Sequence, residues 1–422
     1  MINIIYYIGD FMVYYLIGIK GTGMSSLAKI LIDEGHIVKG VDSEEYFFTE
    51  KNLQSCKVEK FTHMNLKKYF YYIIGNAYIN HSIVKYIKKN KYYYKEYPKF
   101  INDYFKKYQM ICVCGSHGKT TTSKMLATIL PGCNYLIGDA SGYGKGKNYF
   151  ILEACEYKNT FLNYYPQYGL FLNIDYDHPD FFKNENQYIE SFEKFSLQCQ
   201  NIIVNGDDKN TKLLKKEQLT YGINKDNNFS FTYKIVNNYM LITIDNKEFK
   251  IPLLGKHYAY DFVGAYIMAK KLGINDEEIQ RRILKFKTPK RRLQINNFNN
   301  TIFILDYAHH PTEIECLRNT TKLMYGDKKL ICFFQPHTLS RSEGLKDKFK
   351  KVLDKFDETY LLHTFTSVRE NINMIIENEI YKYWGYKLIS KENIINYQFN
   401  CENVYLFVGA GDIDLVYQEI IK

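Results

Sequence analysis

Short β-rich apolar runs recur along this chain, and each stops at a glycine or at polar groups able to do chemistry. The early runs are YYLIGI before KGTGMS, MICVCG before SHGKTTT, YFILEA before CEY and GLFLNI before DYDHPD. Later come TIFIL before DYAHHP, KLICFF before QPHTLSR and NVYLF before VGAGD. Helical stretches fall between many of them. In Met24–Gly35, Leu27, Ile30 and Leu31 give a helical stripe and Gly35 supplies a C-cap. A second helix is expected at Ser123–Leu130. Strands alternating with helices imply parallel sheets covered on both faces. Such sheets bind ligands at the carboxyl ends of their strands, where these polar groups lie. The sites are too many for one pocket, so several sheets facing a shared cleft are expected.

The length of 422 residues allows two or three cores, since a single core stops growing at about 250–300 residues. We place boundaries near 100 and 289, at PKFINDY and KTPKRRL, which gives segments 1–100, 101–289 and 290–422. Between about 220 and 255 the runs FSFTYKI, YMLITID and KEFKIPL alternate, and read as antiparallel strands appended to the middle segment. The apolar start MINIIYYIGDFMVYYLIGI carries Asp10 and no basic residue ahead of it, so it fits neither a signal peptide nor a spanning helix. Met12 can serve as the start, with residues 1–11 a dispensable extension. The expected location is cytoplasmic.

The net charge is +10, yet only seven of the 56 basic residues are arginine and the lysines are spread throughout. A nucleic-acid surface would cluster arginines, so the charge argues against one. The nine cysteines form no C-x-x-C pair, which points away from disulfides and zinc ribbons and toward a reducing compartment. Cys112 and Cys114 read as small core residues of a strand.

The stretch ICVCGSHGKTTTSK resembles a phosphate-binding loop that lacks one glycine, with Val113 where G-x-x-x-x-G-K-[ST] has Gly. A strand, a glycine turn and Lys119-Thr120 at a helix start place backbone N–H groups and a positive helix end around an anion. Lys119 would neutralise phosphate oxygens, and Thr120 would offer its hydroxyl to Mg²⁺. A glycine turn with a solvent lysine is the alternative. The second glycine stretch runs from Gly18 to Ser25 with spacing G-x-x-G-x-G, which weakens an NAD reading. A nucleotide-diphosphate site and a structural turn both remain open there, and Asp42 sits near where a ribose-binding acid would be. Glu153, Asp175, Asp177 and His178 end two further strands. Glu153 and His178 could hold a cation beside the loop, although His178 alone also reads as a capping histidine. Arg341 is a candidate grip for a carboxylate. The pair His309-His310 lacks a third ligand at suitable spacing, so a capped turn is the preferred reading.

Taken in order, GIKGTGMSSLAKIL, GSHGKTTTSKML, EACEY, NIDYDHPDFF, KRRL, DYAHHPTEI, FQPHTLSR and GAGDI resemble the Mur ligases, the ATP-dependent amide-forming enzymes of peptidoglycan precursor synthesis. The motifs run from residue 18 to 413. The resemblance is strongest to the branch that joins L-alanine to UDP-N-acetylmuramate. It implies three α/β domains: a Rossmann-like nucleotide-sugar domain, a central P-loop ATPase-like domain with the appended antiparallel strands, and a C-terminal Rossmann-like domain that closes over ATP and the amino acid. It also implies Mg²⁺ as cofactor, and UDP-N-acetylmuramate, L-alanine and ATP as small-molecule partners of a monomer or homodimer.

Residue by residue, the resemblance gives Gly18, Lys20, Gly21, Thr22, Gly23, Met24 and Ser25 to the uridine nucleotide, with Asp42 as helper. Gly115, Ser116, His117, Gly118, Lys119, Thr120 and Thr121 would cradle ATP, joined by His257, Arg292 and, at the ribose, Asp306. Thr120, Glu153 and His178 match the magnesium ligands. Tyr307, His337 and Arg341 match positions around the alanine, with His337 or His178 moving protons. Two positions depart from the family pattern: Asp261 stands where an asparagine near adenine is usual, and Leu293 replaces a phenylalanine. An ionised Asp261 cannot donate as an amide does. Three other readings are kept: a ligase attaching a ready-made peptide in cell-wall recycling, a regulatory P-loop protein, and a decayed copy.

Overall fold

The computed structural model describes residues 12–44, 48–365 and 373–422. The extension expected at 1–11 lies outside them. Two compact units are present. The first comprises the described residues up to Ile174 with Glu190–Phe229 and Val263–Ile283, and the second comprises Asp175–Ile189, Ser230–Phe262 and Leu284–Lys422. Among the described residues no helix is long and apolar enough to cross a membrane.

The first unit holds two sheets of the expected parallel kind. In one, the order is Lys57–Glu59, Ile37–Val41, Val13–Ile17, Tyr71–Ile74, Tyr94–Glu96, and every pair is parallel. Val13–Ile17 is buried along its whole length, as a central parallel strand must be. In the other, Leu219–Gly222, Asn201–Asn205, Tyr168–Phe171, Gln109–Cys114, Tyr149–Glu153 and Asn134–Leu136 run parallel, and Gly142–Tyr143 adds an antiparallel edge. Cys112 and Cys114 are fully buried in Gln109–Cys114, between Tyr168–Phe171 and Tyr149–Glu153, as core residues. The register pairs Val113 with Glu153 and Cys114 with Phe171, so the loop after Cys114 and the Glu153 carboxylate emerge at one level.

The second unit carries a sheet ordered Gln294–Phe298, Thr301–Asp306, Asn403–Val408, Lys329–Phe334, Glu358–Leu361, Lys387–Leu388, parallel except for its first pair. Phe303, Phe333, Tyr405 and Phe407 pack together on one face. Farther back in the chain, Phe229–Val236, Tyr239–Ile244 and Lys247–Ile251 form the expected antiparallel meander, and Met240, Ile242 and Ile244 alternate inward.

Helix ends follow local chemistry. The helix Thr22–Asp33 buries Leu27, Ile30 and Leu31 and stops where Gly35 turns left-handed at φ 90°, with His36 N–H on the Leu31 carbonyl at 2.9 Å. The helix expected at Ser123 begins at Lys119 and ends at Ile129, because Gly118 caps it at φ 81°. Residues 98–104, read as a separating stretch, lie inside the helix Tyr97–Phe105, with Pro98 in its first turn.

Candidate functional site

The phosphate-type loop is built on Asn173. Ser116 N–H donates to the Asn173 carbonyl at 3.1 Å, His117 N–H donates to its Oδ1 at 2.8 Å, and its Nδ2 donates back to the His117 carbonyl at 3.1 Å. A side chain at Gly115 would lie 3.0 Å from the Asn173 carbonyl oxygen, and Gly115 has φ 143°, so only glycine fits this approach. The helix begins at Lys119, directly after this loop, so its first turn at Lys119, Thr120 and Thr121 presents the kind of N–H end that binds anions.

The side chains of this loop are already engaged. Lys119 Nζ lies 3.0 Å from Glu156 Oε2 and donates to the carbonyls of Gly115 and Ser116, the latter at 3.0 Å. Burial alone would lower the ammonium pKa, but Glu156, Cys155 and Glu153 outweigh it and hold Lys119 charged, above its ordinary range. Thr120 Oγ1 donates to Glu153 Oε1 at 3.1 Å, and Gly138 N–H donates to Oε2 at 2.7 Å. Burial raises the Glu153 carboxyl, against the pull of Lys119. A hydroxyl and a carboxylate oxygen at this spacing are hard donors of the kind Mg²⁺ takes, so the residues fit the expected cation. His178 belongs to the second unit, in the left-handed region at φ 58°.

The other glycine loop is equally ordered. Gly18 has φ 85°, and a side chain there would strike the Tyr78 ring at 2.5 Å. Gly21 precedes the helix that contains Thr22, Gly23, Met24 and Ser25. Asp42 accepts from Lys20 N–H at 2.6 Å, from Ser43 N–H at 2.8 Å and from the Tyr78 hydroxyl. The carboxylate thus shapes the loop, and the Lys20 ammonium pairs with Glu50 at 2.7 Å.

In the second unit the three residues expected around alanine come together. Arg341, 4% exposed, sends Nε to Asp177 Oδ1 at 2.8 Å and Nη2 to Oδ2 at 3.2 Å, while Nη1 reaches the His337 carbonyl at 3.3 Å. The carboxylate it grips here is therefore Asp177's. Burial raises that carboxyl, but Arg341, His178 and His310 more than reverse this and hold it well below the usual range. The rings of Tyr307 and His309 meet edge to face at 5.2 Å, and those of His309 and His337 at 5.7 Å. His309 contacts the Tyr307 carbonyl at 3.0 Å, and burial drives its pKa down to about 3. His310 caps the helix Pro311–Met324 by accepting from Thr312 N–H, which is the capped turn expected of the pair.

Behind them, Arg291 donates to the carbonyls of Gly409 and Gly411, and Tyr307 lies under both Arg291 and Arg292, at 4.9 and 5.1 Å. Asp306 accepts from Leu293 N–H at 2.7 Å and Ala308 N–H at 2.8 Å, so its carboxylate fixes the turn after its strand. Burial, helped by Arg292, lowers the His257 pKa to about 4. Asp261 is buried one helical turn along from His257, on Lys256–Lys271. Sequence reasoning gave no role to Asn173, Glu156 or Glu313. Glu156 lies within the quoted motif EACEY, and Glu313, which meets Arg292 at 3.5 Å, lies within DYAHHPTEI. Asn173 carried no signal beyond its place at a strand end.

Parallel α/β sheets, a glycine loop of the phosphate-binding type with a lysine and a hydroxyl, and a second cluster of Arg, Tyr and His are the parts a nucleotide-dependent α/β enzyme would need. Family comparison gives three matches in order: Mur ligase family, catalytic domain, over residues 13–109; Mur ligase middle domain over 113–269; and Mur ligase, glutamate ligase domain, over 291–397. The chain belongs to the Mur ligase family, with its three-domain α/β fold and its ATP-dependent amide-bond chemistry. Among solved structures, it is similar to a UDP-N-acetylmuramate-alanine ligase, MurC, from Thermotoga maritima, at 23% identity over 97% of this chain and 98% of that one, with a TM-score of 0.80. It is similar also to a murein peptide ligase from Psychrobacter arcticus, at 20% identity over 97% and 98%, TM-score 0.74. A pseudomurein peptide ligase type C from Methanothermus fervidus matches at 18% identity over 97% and 99%, TM-score 0.64.

Proposed function

We propose that the chain joins L-alanine to the lactyl carboxylate of UDP-N-acetylmuramate, hydrolysing ATP to ADP and phosphate. The observation that favours this is the cluster Tyr307, His337 and Arg341, in which a permanently charged guanidinium reaches the His337 carbonyl and the rings of Tyr307 and His337 both meet that of His309, at the positions that match those around the amino acid. The division into residues 1–100, 101–289 and 290–422 is proposed as a nucleotide-sugar, an ATP and an acceptor domain of a cytoplasmic enzyme.

The chemistry divides between the residues. The loop N–H groups and Lys119 hold the β- and γ-phosphates and spread their charge. Thr120 and Glu153 would hold Mg²⁺, which supplies further charge neutralisation on phosphate oxygens when bound. An oxygen of the lactyl carboxylate forms a bond to the γ-phosphorus as the bond to ADP breaks, giving an acyl phosphate. The α-amine of alanine, oriented through its own carboxylate by Arg341, then attacks the carbonyl carbon. Phosphate leaves as the amide forms, and the amine gives up its proton. His337, in contact with Arg341, is placed to receive it. Binding and orienting three reactants supplies most of the rate advantage.

A second reading has an observation of its own. A cavity of about 410 Å³ opens at the ends of four neighbouring strands of the second unit, lined by Gln335, His363, Phe365, Lys391, Glu392 and Asp412. Phe365 also stacks on His337 at 6.0 Å. This space exceeds what an alanine side chain needs and would suit a longer, charged acceptor such as a peptide. Product analysis tests the proposal: ATP, UDP-N-acetylmuramate and L-alanine should yield an amide-linked product with one ADP for each bond formed. ADP release without that product would contradict it.

A further inference from the structure

The loop lysine faces a carboxylate of its own chain. Glu156 is 1% exposed and sits with Oε2 3.0 Å from Lys119 Nζ, in a place where burial makes a lone charge costly. It follows Glu153 by less than one helical turn, on the segment that leaves the strand Tyr149–Glu153. The same ammonium folds back onto the Gly115 and Ser116 carbonyls, oxygens of the loop that would cradle phosphate. Lys119 is thus satisfied within its own chain, by one anionic contact and two carbonyl contacts of the kind phosphate oxygens would make.

We propose that Glu156 is an internal counter-ion that competes with nucleotide phosphate for Lys119 and sets the affinity of the loop. The inference rests on the reading of Gly115–Thr121 as the ATP loop. A contact made only in the free state must be given up on binding, so it weakens binding by its own strength. Removing the charge destabilises the free protein, because Lys119 loses its partner in a buried site, and leaves the nucleotide-bound protein nearly unchanged. Glu156 therefore keeps the empty loop stable and its lysine charged, at the expense of nucleotide affinity. A residue that merely supported the fold would lower the stability of both states alike.

The test is calorimetric titration of the full chain with MgADP, for wild type, Glu156→Gln and Glu156→Asp. The Gln variant should bind about tenfold more tightly, as expected for loss of one buried charge contact from the free state, and the Asp variant should stay close to wild type. Thermal unfolding with and without MgADP gives a second readout that a weakly stable variant still permits. The ADP-induced rise in melting temperature should be larger in Glu156→Gln than in wild type. Unchanged or weaker binding in Glu156→Gln, with an equal or smaller rise, overturns the proposal while wild-type binding upholds the loop. A wild-type chain that binds no ADP overturns the loop reading and the proposal with it.

Discussion

Arg341 holds Asp177 with two nitrogens, Nε at 2.8 Å and Nη2 at 3.2 Å, and both side chains are almost wholly buried. Asp177 in turn accepts from the backbone N–H of His178 at 2.7 Å. The helix that begins after His337 is thereby tied to the turn that carries His178. Removing one partner of such a pair leaves a buried charge uncompensated, which costs about 3–5 kcal/mol. Arg341→Ala and Asp177→Ala should each lower the urea midpoint of the protein markedly. The Asp177→Ala/Arg341→Ala double variant should lose less than the sum of the two singles. Additive losses in a double-mutant cycle would contradict the pairing.

For function, Arg341→Ala should raise the KM for alanine more than that for ATP. On the proposed reading the nitrogen turned toward His337 would meet the acceptor carboxylate, while Nε and Nη2, held by Asp177, fix the plane of the guanidinium. Steady-state kinetics varying each substrate in turn check this, and the reverse order would remove Arg341 from the acceptor site.

Lys119→Ala should abolish ADP release with all substrates present. The substitution removes the ammonium that would spread γ-phosphate charge and that the Gly115 and Ser116 carbonyls hold in the loop. Appreciable amide synthesis by this variant would refute the role of the loop.

Acid should weaken the second unit in two stages. His257 and His309 have folded-state pKa values lowered from 6.5 to about 4 and about 3, in both cases by burial. The unfolded chain then binds more protons than the folded one below pH 6.5, so stability is complete above that value and declines as the pH falls toward 4 and 3. Asp177, depressed by Arg341, stabilises the fold above the ordinary carboxylate pKa of about 3.9 and loses that contribution only in stronger acid. Urea midpoints between pH 4 and 7 should rise with pH, and the slope should flatten in His257→Gln. A slope unchanged by that substitution would remove His257 from the account.

The strand ends were legible because parallel strands are apolar throughout and stop abruptly where chemistry begins. Thr301–Asp306 and Lys329–Phe334 are buried to their last residue; the first leads directly into Tyr307, and the second reaches His337 after Gln335 and Pro336. Local glycines announced both loops and the end of the helix at Gly35. The pairings between loops were not legible, because they link distant residues. Asp177 is far from Arg341 in sequence, and Asn173 far from His117, so nothing local marks either bond. Asp42 sits near where a ribose-binding acid would be, and local strand patterning carries no sign that Lys20, Ser43 and Tyr78 all donate to it.

The most direct test of the whole account is acceptor choice. ADP formation should be measured with UDP-N-acetylmuramate and ATP while L-alanine, glycine, L-serine and a tripeptide are supplied in turn. The account predicts the highest kcat/KM for L-alanine, falling for glycine and L-serine, with little or no turnover of the tripeptide. Preferred turnover of the tripeptide would contradict it and assign the cavity beside Phe365 to a peptide acceptor.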